Sequence, residues 1–235
     1  MSINEIQKAP SAIHLAYNLG NSAPETARNV MRLKDARPPS ITPSIRGFAE
    51  HLLSGRLSLE ELEKQAKLLP KEVVRNSVLE VLPLLDEFLQ SHEISWFKKA
   101  SRYPFRITKD VDVPIQPIGF GLIDGKVQAV FSPFWKTIAH NRNQFRSAIT
   151  LIQRGYIDQK GGDIESFLWL ETAETTKNKG RELSVRDHVT ADQLTDLEYH
   201  GMVQNLTDAI AIVKETWVPK SKKSRPSETE NPFGF

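Results

Sequence analysis

Two alternating apolar runs meet at Asp124-Gly125, and no other feature of this sequence constrains its fold as tightly. The spacing predicts a β-hairpin in which residues 115 to 123 run out, Asp124-Gly125 forms a two-residue turn, and residues 126 to 131 return. On the outgoing strand Ile118, Phe120 and Leu122 share one face while Gly119 and Gly121 share the other. Either something approaches the glycine face closely or the sheet bends there.

Helical periodicity precedes this hairpin. Over residues 71 to 92, Val74, Val78, Val81, Leu82, Leu85, Phe88 and Leu89 repeat at three- and four-residue spacing, with Pro83 inside the run, where a proline kinks or divides a helix. Shorter helices are expected from Pro24 to Lys34, from Thr42-Pro43 through Ile45, Phe48, Ala49, Leu52 and Leu53, and after Ser58, whose partner Glu61 completes a capping box. Residues 1 to 22 read as a flexible or docked arm. Beyond the hairpin, the pattern predicts a helix from about Thr137 to Arg154, a strand from Ile164 to Glu171 and a short strand over Glu182 to Val185. A last amphipathic helix from about Asp192 to Trp217 should turn Leu194, Leu197, Leu206, Ile210 and Val213 inward.

This order implies an α+β protein: a helical N-terminal part (23–95), then a small, mainly antiparallel sheet packed with helices (96–217), then a disordered tail (218–235). No apolar run is long enough to span a bilayer and no export segment stands near Met1, so a cytoplasmic protein that does not enter membranes is expected. The absence of cysteine excludes disulfide scaffolds, thiolate metal sites and cysteine nucleophiles. A net charge of +2, from 31 basic and 29 acidic side chains, says nothing about partners until its distribution is followed.

Charge is concentrated in two places. Residues 96 to 109 carry Lys98, Lys99, Arg102, Arg106 and Lys109 without an acid, interleaved with Trp96, Phe97, Tyr103 and Phe105; Trp96, Phe97 and Phe105 read as core. A second cluster, Lys136, His140, Asn141, Arg142, Asn143, Gln144 and Arg146, falls between a strand end and the first turns of a helix. Free backbone N–H groups at a helix start favour anions, and the cations would add charge-assisted contacts to phosphate. Together the two clusters permit a nucleic-acid partner, because positive charge positions phosphates and aromatic faces stack on bases.

Enzyme motifs are sparse, with no phosphate-binding loop, dinucleotide fingerprint, zincin motif or nucleophile elbow. Glu165 and Glu171 share a strand face and are the candidate metal ligands, with Glu174, Lys177 and Asp112 nearby in sequence or type; a magnesium site would use one or two such carboxylates. The six histidines are scattered without metal spacing.

The order of helix, strands, helix and strand over roughly residues 71 to 171 resembles the core of restriction-endonuclease-like nucleases, whose site is an Asp followed by Glu-x-Lys on the next strand. Here the run is Ser132-Pro133-Phe134-Trp135-Lys136, with Phe134 two residues before the lysine, so the acid is missing. The resemblance implies a degenerate, noncatalytic relative. After the basic residues that follow Pro219, the chain closes on Glu228, Glu230 and then Asn231, Pro232, Phe233, Gly234 and Phe235, which slightly resembles the acidic, Pro-Phe-ending tails of bacterial single-stranded DNA-binding proteins. Such a tail docks into a partner's pocket.

The expectation is therefore a noncatalytic binding or assembly component associated with nucleic acid or a complex that handles it. The alternatives are a metal-dependent nuclease-like phosphodiesterase, which alone would need magnesium, and a pure protein-interaction module.

Overall fold

Asp124 and Gly125 both take left-handed backbone angles, φ 49° and 75°, the pair of conformations a tight hairpin turn demands. In the computed structural model, which describes residues 11–35, 41–137, 141–160, 162–174, 180–187 and 192–216, this turn joins β4 (Gly119–Ile123) to β5 (Lys126–Phe131). The remaining strands are β1 (Ile94–Lys99), β2 (Tyr103–Thr108), β3 (Val111–Ile115), β6 (Ser166–Ala173) and β7 (Glu182–Asp187). A five-stranded sheet has the order β1-β4-β5-β6-β7, and β2 pairs only with β3. Every neighbouring pair is antiparallel except β5 and β6, which run parallel. The class is α+β, as the element order implies.

Seven α-helices lie among the described residues: α1 (Ala12–Tyr17), α2 (Ala23–Asp35), α3 (Ile41–Leu53), α4 (Leu59–Lys67), α5 (Glu72–Ser91), α6 (Arg142–Ile152) and α7 (Asp196–Thr216). Ser58 and Glu61 form the expected capping box at the start of α4. Pro83 lies on the exposed side of α5 and does not divide it. After Ile152, α6 widens into a π turn, Gln153–Ile157. Other expectations change as well. The outgoing strand is shorter than 115–123, because β3 ends at Ile115 and Gln116-Pro117-Ile118 leads into β4. The helix expected from Thr137 starts at Arg142 behind its N-cap Asn141. Leu197 is 83% exposed in the first turn of α7, whereas Leu206, Ile210 and Val213 are buried as expected. Trp96, expected in the core, is 38% exposed, while Phe97 is buried.

The sheet is covered on both faces. On one, Phe97, Val130, Leu168 and Leu170 meet Ile45, Ala49 and Leu52 of α3 and Val78, Leu82, Leu85 and Phe88 of α5 in a single core. The helices N-terminal to the sheet thus share its core. On the other face, Phe131, Phe167 and Trp169 pack against Phe145, Ile149 and Ile152 of α6, against the β2–β3 hairpin through Val111, Val113 and Ile115, and against α1 through Ile13, Leu15 and Tyr17. The part of the N-terminal arm that is described is therefore docked. Gly119 and Gly121 lie beside β1, opposite Lys99 and Phe97: a Cβ at either position would collide with the Phe97 ring and with the carbonyl of Lys98 or Trp96. A side chain and neighbouring backbone, rather than a ligand, fill the glycine face.

Candidate functional site

Strand directions gather one end of the sheet into a cluster of chain ends. β1 and β5 both run antiparallel to β4, and β6 runs parallel to β5. The carboxyl ends of β1, β5 and β6 therefore lie together with the amino end of β4, the amino end of β7 and the start of α6. Crevices beyond the carboxyl ends of parallel strands are where open sheets place ligands. Most of the candidate residues read from the sequence collect here, in three groups of different character.

The first group is paired. Lys136, beyond β5, contacts Glu80 of α5 at 3.5 Å and Glu174, beyond β6, at 3.4 Å. These carboxylates hold its ammonium pKa above the ordinary lysine value. Arg181, with a side chain only 3% exposed, bonds Glu80 at 2.9 Å and donates to the carbonyls of Phe134 and Thr172. This is where the nuclease resemblance would place its acid, and packing residues stand there instead. Ser132, Pro133 and Phe134 are buried, Phe134 is held at φ 54°, and the Ser132 Oγ accepts a bond from the Phe134 N–H.

The second group is the start of α6. Asn141 and Gln144 make a capping box that takes up two of the helix's free donors, the Asn141 and Gln144 N–H groups. The Gln144 amide also donates to the carbonyls of Tyr17 and Leu19, at 2.9 and 3.1 Å, and ties down the end of α1. Arg142 pairs with Asp192. Arg146 reaches Asp192 at 3.3 Å, Glu198 at 2.7 Å and the Gln193 carbonyl at 2.8 Å, clamping α6 to the start of α7. The Arg146 bond, helped by the Thr195 cap, brings the Glu198 carboxyl down to about 2. Asn143 is exposed, and its carbonyl accepts from Ser147 Oγ. His140 lies outside the described residues, as do the tail residues 231–235.

The third group runs along and beyond β1. Lys98 Nζ sits 5.5 Å from the centre of the exposed Trp96 ring, whose edge meets Phe120 with 5.9 Å between centroids. Lys99 pairs with the buried Glu50 at 2.8 Å. Arg102 is exposed and, among the described residues, has no carboxylate partner. Arg106 lies on the β2–β3 hairpin and spends its charge on Asp112 at 2.9 Å.

Beside Arg102 stand residues the sequence did not single out. Arg46 of α3 donates from Nη1 to the Gln116 Oε1 at 3.0 Å, while its Nε is buried without a hydrogen-bond partner. Burial and the neighbouring charge of Arg102 together lower its pKa. His14 of α1 is lowered in turn, by burial and then by Arg46. Its ring stands edge-on to Trp135 at 5.3 Å between centroids.

The metal candidates are not brought together. Glu171 lies on β6 and Glu165 just before it, six residues apart and about 20 Å at the rise of an extended chain, too far to share an ion. Glu165 is exposed and accepts from the Val127 N–H, while Glu171 is 4% exposed and pairs with Arg186 at 3.4 Å. Burial raises the Glu171 pKa, an effect that Arg186 opposes. Among the described residues no group of three or more His, Asp or Glu side chains is arranged to hold a metal ion. Nor, among them, is any helix long and apolar enough to cross a membrane.

No protein-family model matches the chain, and no curated protein matches its sequence.

Proposed function

We propose that this protein is a noncatalytic, cytoplasmic binding component that engages nucleic acid along β1 and beyond the carboxyl end of that strand. The observation that carries the reading is the exposed Trp96 ring with Lys98 against it on an edge strand, leading toward Arg102, a cation without an acid partner among the described residues. An aromatic face beside cations is the arrangement that stacks bases and neutralises phosphates. The noncatalytic half rests on Phe134, which is packed into the core at the position two before Lys136 where a nuclease-like site would place its acid, its N–H held by Ser132. The alternative of a magnesium-dependent phosphodiesterase needs carboxylates that meet on one ion, and Glu165 and Glu171 do not meet.

The test is binding of labelled single- and double-stranded DNA and RNA at two salt concentrations, with magnesium in a parallel series. Salt-sensitive binding without cleavage is expected, since phosphate contacts weaken as salt rises. Cleavage with magnesium would replace the proposal with the enzyme, and no binding to any of these would overturn it.

A protein-interaction role has one observation in its favour. Leu68 and Val73, 82% and 64% exposed, flank the turn between α4 and α5 and place apolar surface in water. Capture of a protein partner by the wild type, lost with Leu68→Asp, would support that role.

A further inference from the structure

The Arg46 side chain poses a physical question that the rest of the fold leaves open. A guanidinium withdrawn from water is ordinarily held by a carboxylate, because desolvating an unpaired charge is costly. Arg46 has no such partner among the described residues. Among the described residues it donates to the neutral amide of Gln116, and its buried Nε meets no acceptor there. Burial lowers its pKa, and the charge that adds to this, that of Arg102, has the same sign.

Among the described residues, most other cations at this end of the sheet are matched by carboxylates, and Lys98, which is not, lies against the Trp96 ring. Lys99 and Arg56 share Glu50, Lys136 takes Glu80 and Glu174, Arg181 takes Glu80, and Arg146 takes Asp192 and Glu198. Arg46 with Arg102 is left unmatched where four connections meet: the first turns of α3, the bend after β1, Gln116 before β4, and α1 with His14. A carboxylate as close to Arg46 as Glu50, one helical turn on, is already committed to two other cations.

We propose that Arg46, Arg102 and Gln116 form a binding site for one phosphate group, and that the phosphate belongs to a nucleic-acid strand lying along β1. The second half of this statement rests on the functional reading above; the site itself does not. Phosphate suits the donor set better than a carboxylate does. A strand's phosphodiester brings one negative charge and two non-bridging oxygens on a tetrahedral centre, which two arginine forks can approach from different sides, whereas a carboxylate presents its oxygens in one plane. The Gln116 amide, turned by its acceptor bond to Arg46, keeps its NH2 donors for the same ligand. A strand stacked on Trp96 would pass Lys98 and bring a phosphate to Arg102 within two or three nucleotides, since β1 advances only about 3.3 Å per residue.

The test follows the Arg46 Nε–Hε resonance of the full chain by NMR while inorganic phosphate, and separately a labelled single-stranded oligonucleotide, is added to wild type and to Arg102→Met. Arg102 is exposed, so its substitution leaves the fold intact, and Arg46 itself is observed without being replaced. The expected result is a saturable shift of the Arg46 resonance with either probe, weakened about tenfold or more in Arg102→Met. Phosphate binding with no strand binding keeps the site and overturns the strand as its ligand. Strand binding that leaves the Arg46 resonance still and is unaffected by Arg102→Met overturns the site and spares the nucleic-acid reading. If neither probe binds, both fall.

Discussion

Arg46 Nη1 donates to Gln116 Oε1 across 3.0 Å, which fastens α3 to the connection between β3 and β4 with a neutral acceptor where a carboxylate would be usual. The positive charge left over reaches His14, whose pKa falls through burial first and Arg46 second. Arg46→Met should therefore raise the His14 midpoint part of the way back to its ordinary value, because burial remains. Histidine titration by NMR reads this directly. The sign for stability follows: a histidine lowered in the fold binds fewer protons there than when unfolded, so folding weakens as pH falls through the ordinary histidine value. An unchanged midpoint in Arg46→Met would separate the two residues.

The clamp between α6 and α7 carries a dependence of the same sign in a more acidic window. Glu198, brought to about 2 chiefly by Arg146, contributes stability that is present above the ordinary glutamate value and lost as pH falls toward 2. Arg146→Ala should bring the Glu198 midpoint up toward that ordinary value and flatten this part of the acid-unfolding curve. Carbon-detected carboxylate titration of both proteins is the check.

Gln144 was a candidate for anion binding, yet its amide holds the carbonyls of Tyr17 and Leu19. Gln144→Ala should cost about 1 to 2 kcal/mol and lower hydrogen-exchange protection in α1, while nucleic-acid binding stays as it was. Loss of binding with α1 still protected would return Gln144 to the interface.

How much of this was readable beforehand depended on whether the controlling interaction was local. The Ser58–Glu61 capping box, the Asp124-Gly125 turn and the apolar stripe of α5 each involve residues a few positions apart, and each is found as read. The pairing of β1 with β4 spans an inserted hairpin, and nothing in a period-two pattern names the partner strand. Trp96 was misplaced for that reason: it lies on an edge strand, where one side of the ring stays in water. At the site, the cations of residues 96 to 146 were visible, but their acids were not, because Asp192, Glu198, Glu50 and Glu80 come from distant segments. Arg46 and Gln116, 70 positions apart, left no signal in the sequence.

Gly119 gives a test of the sheet itself. A Cβ there would drive into the Phe97 ring and the Lys98 carbonyl, so Gly119→Ala should destabilise by about 1 to 3 kcal/mol. Adding Phe97→Leu should make the second cost smaller than it is in the wild type. Denaturant unfolding of the four proteins closes the cycle, and additive costs would remove Phe97 as the cause.

Glu171 speaks to the enzyme alternative. Its carboxyl is raised by burial, so the fold holds that proton more tightly than the unfolded chain does, and stability declines as pH climbs from the ordinary glutamate value through the raised one. Glu171→Gln should flatten this decline and leave magnesium affinity unchanged. Magnesium binding by wild type that disappears in this variant would restore Glu171 as a ligand.

The central claim is engagement of a nucleic-acid strand along β1, and the most direct measurement is single-stranded DNA binding as a function of salt for wild type, Trp96→Ala and the double variant Lys98→Ala/Arg102→Ala. The account predicts binding that weakens steeply with salt in the wild type, a loss of about 1 to 3 kcal/mol in Trp96→Ala, and a smaller salt slope in the double variant. Absence of binding, or equal affinity and salt slope in all three proteins, would contradict it.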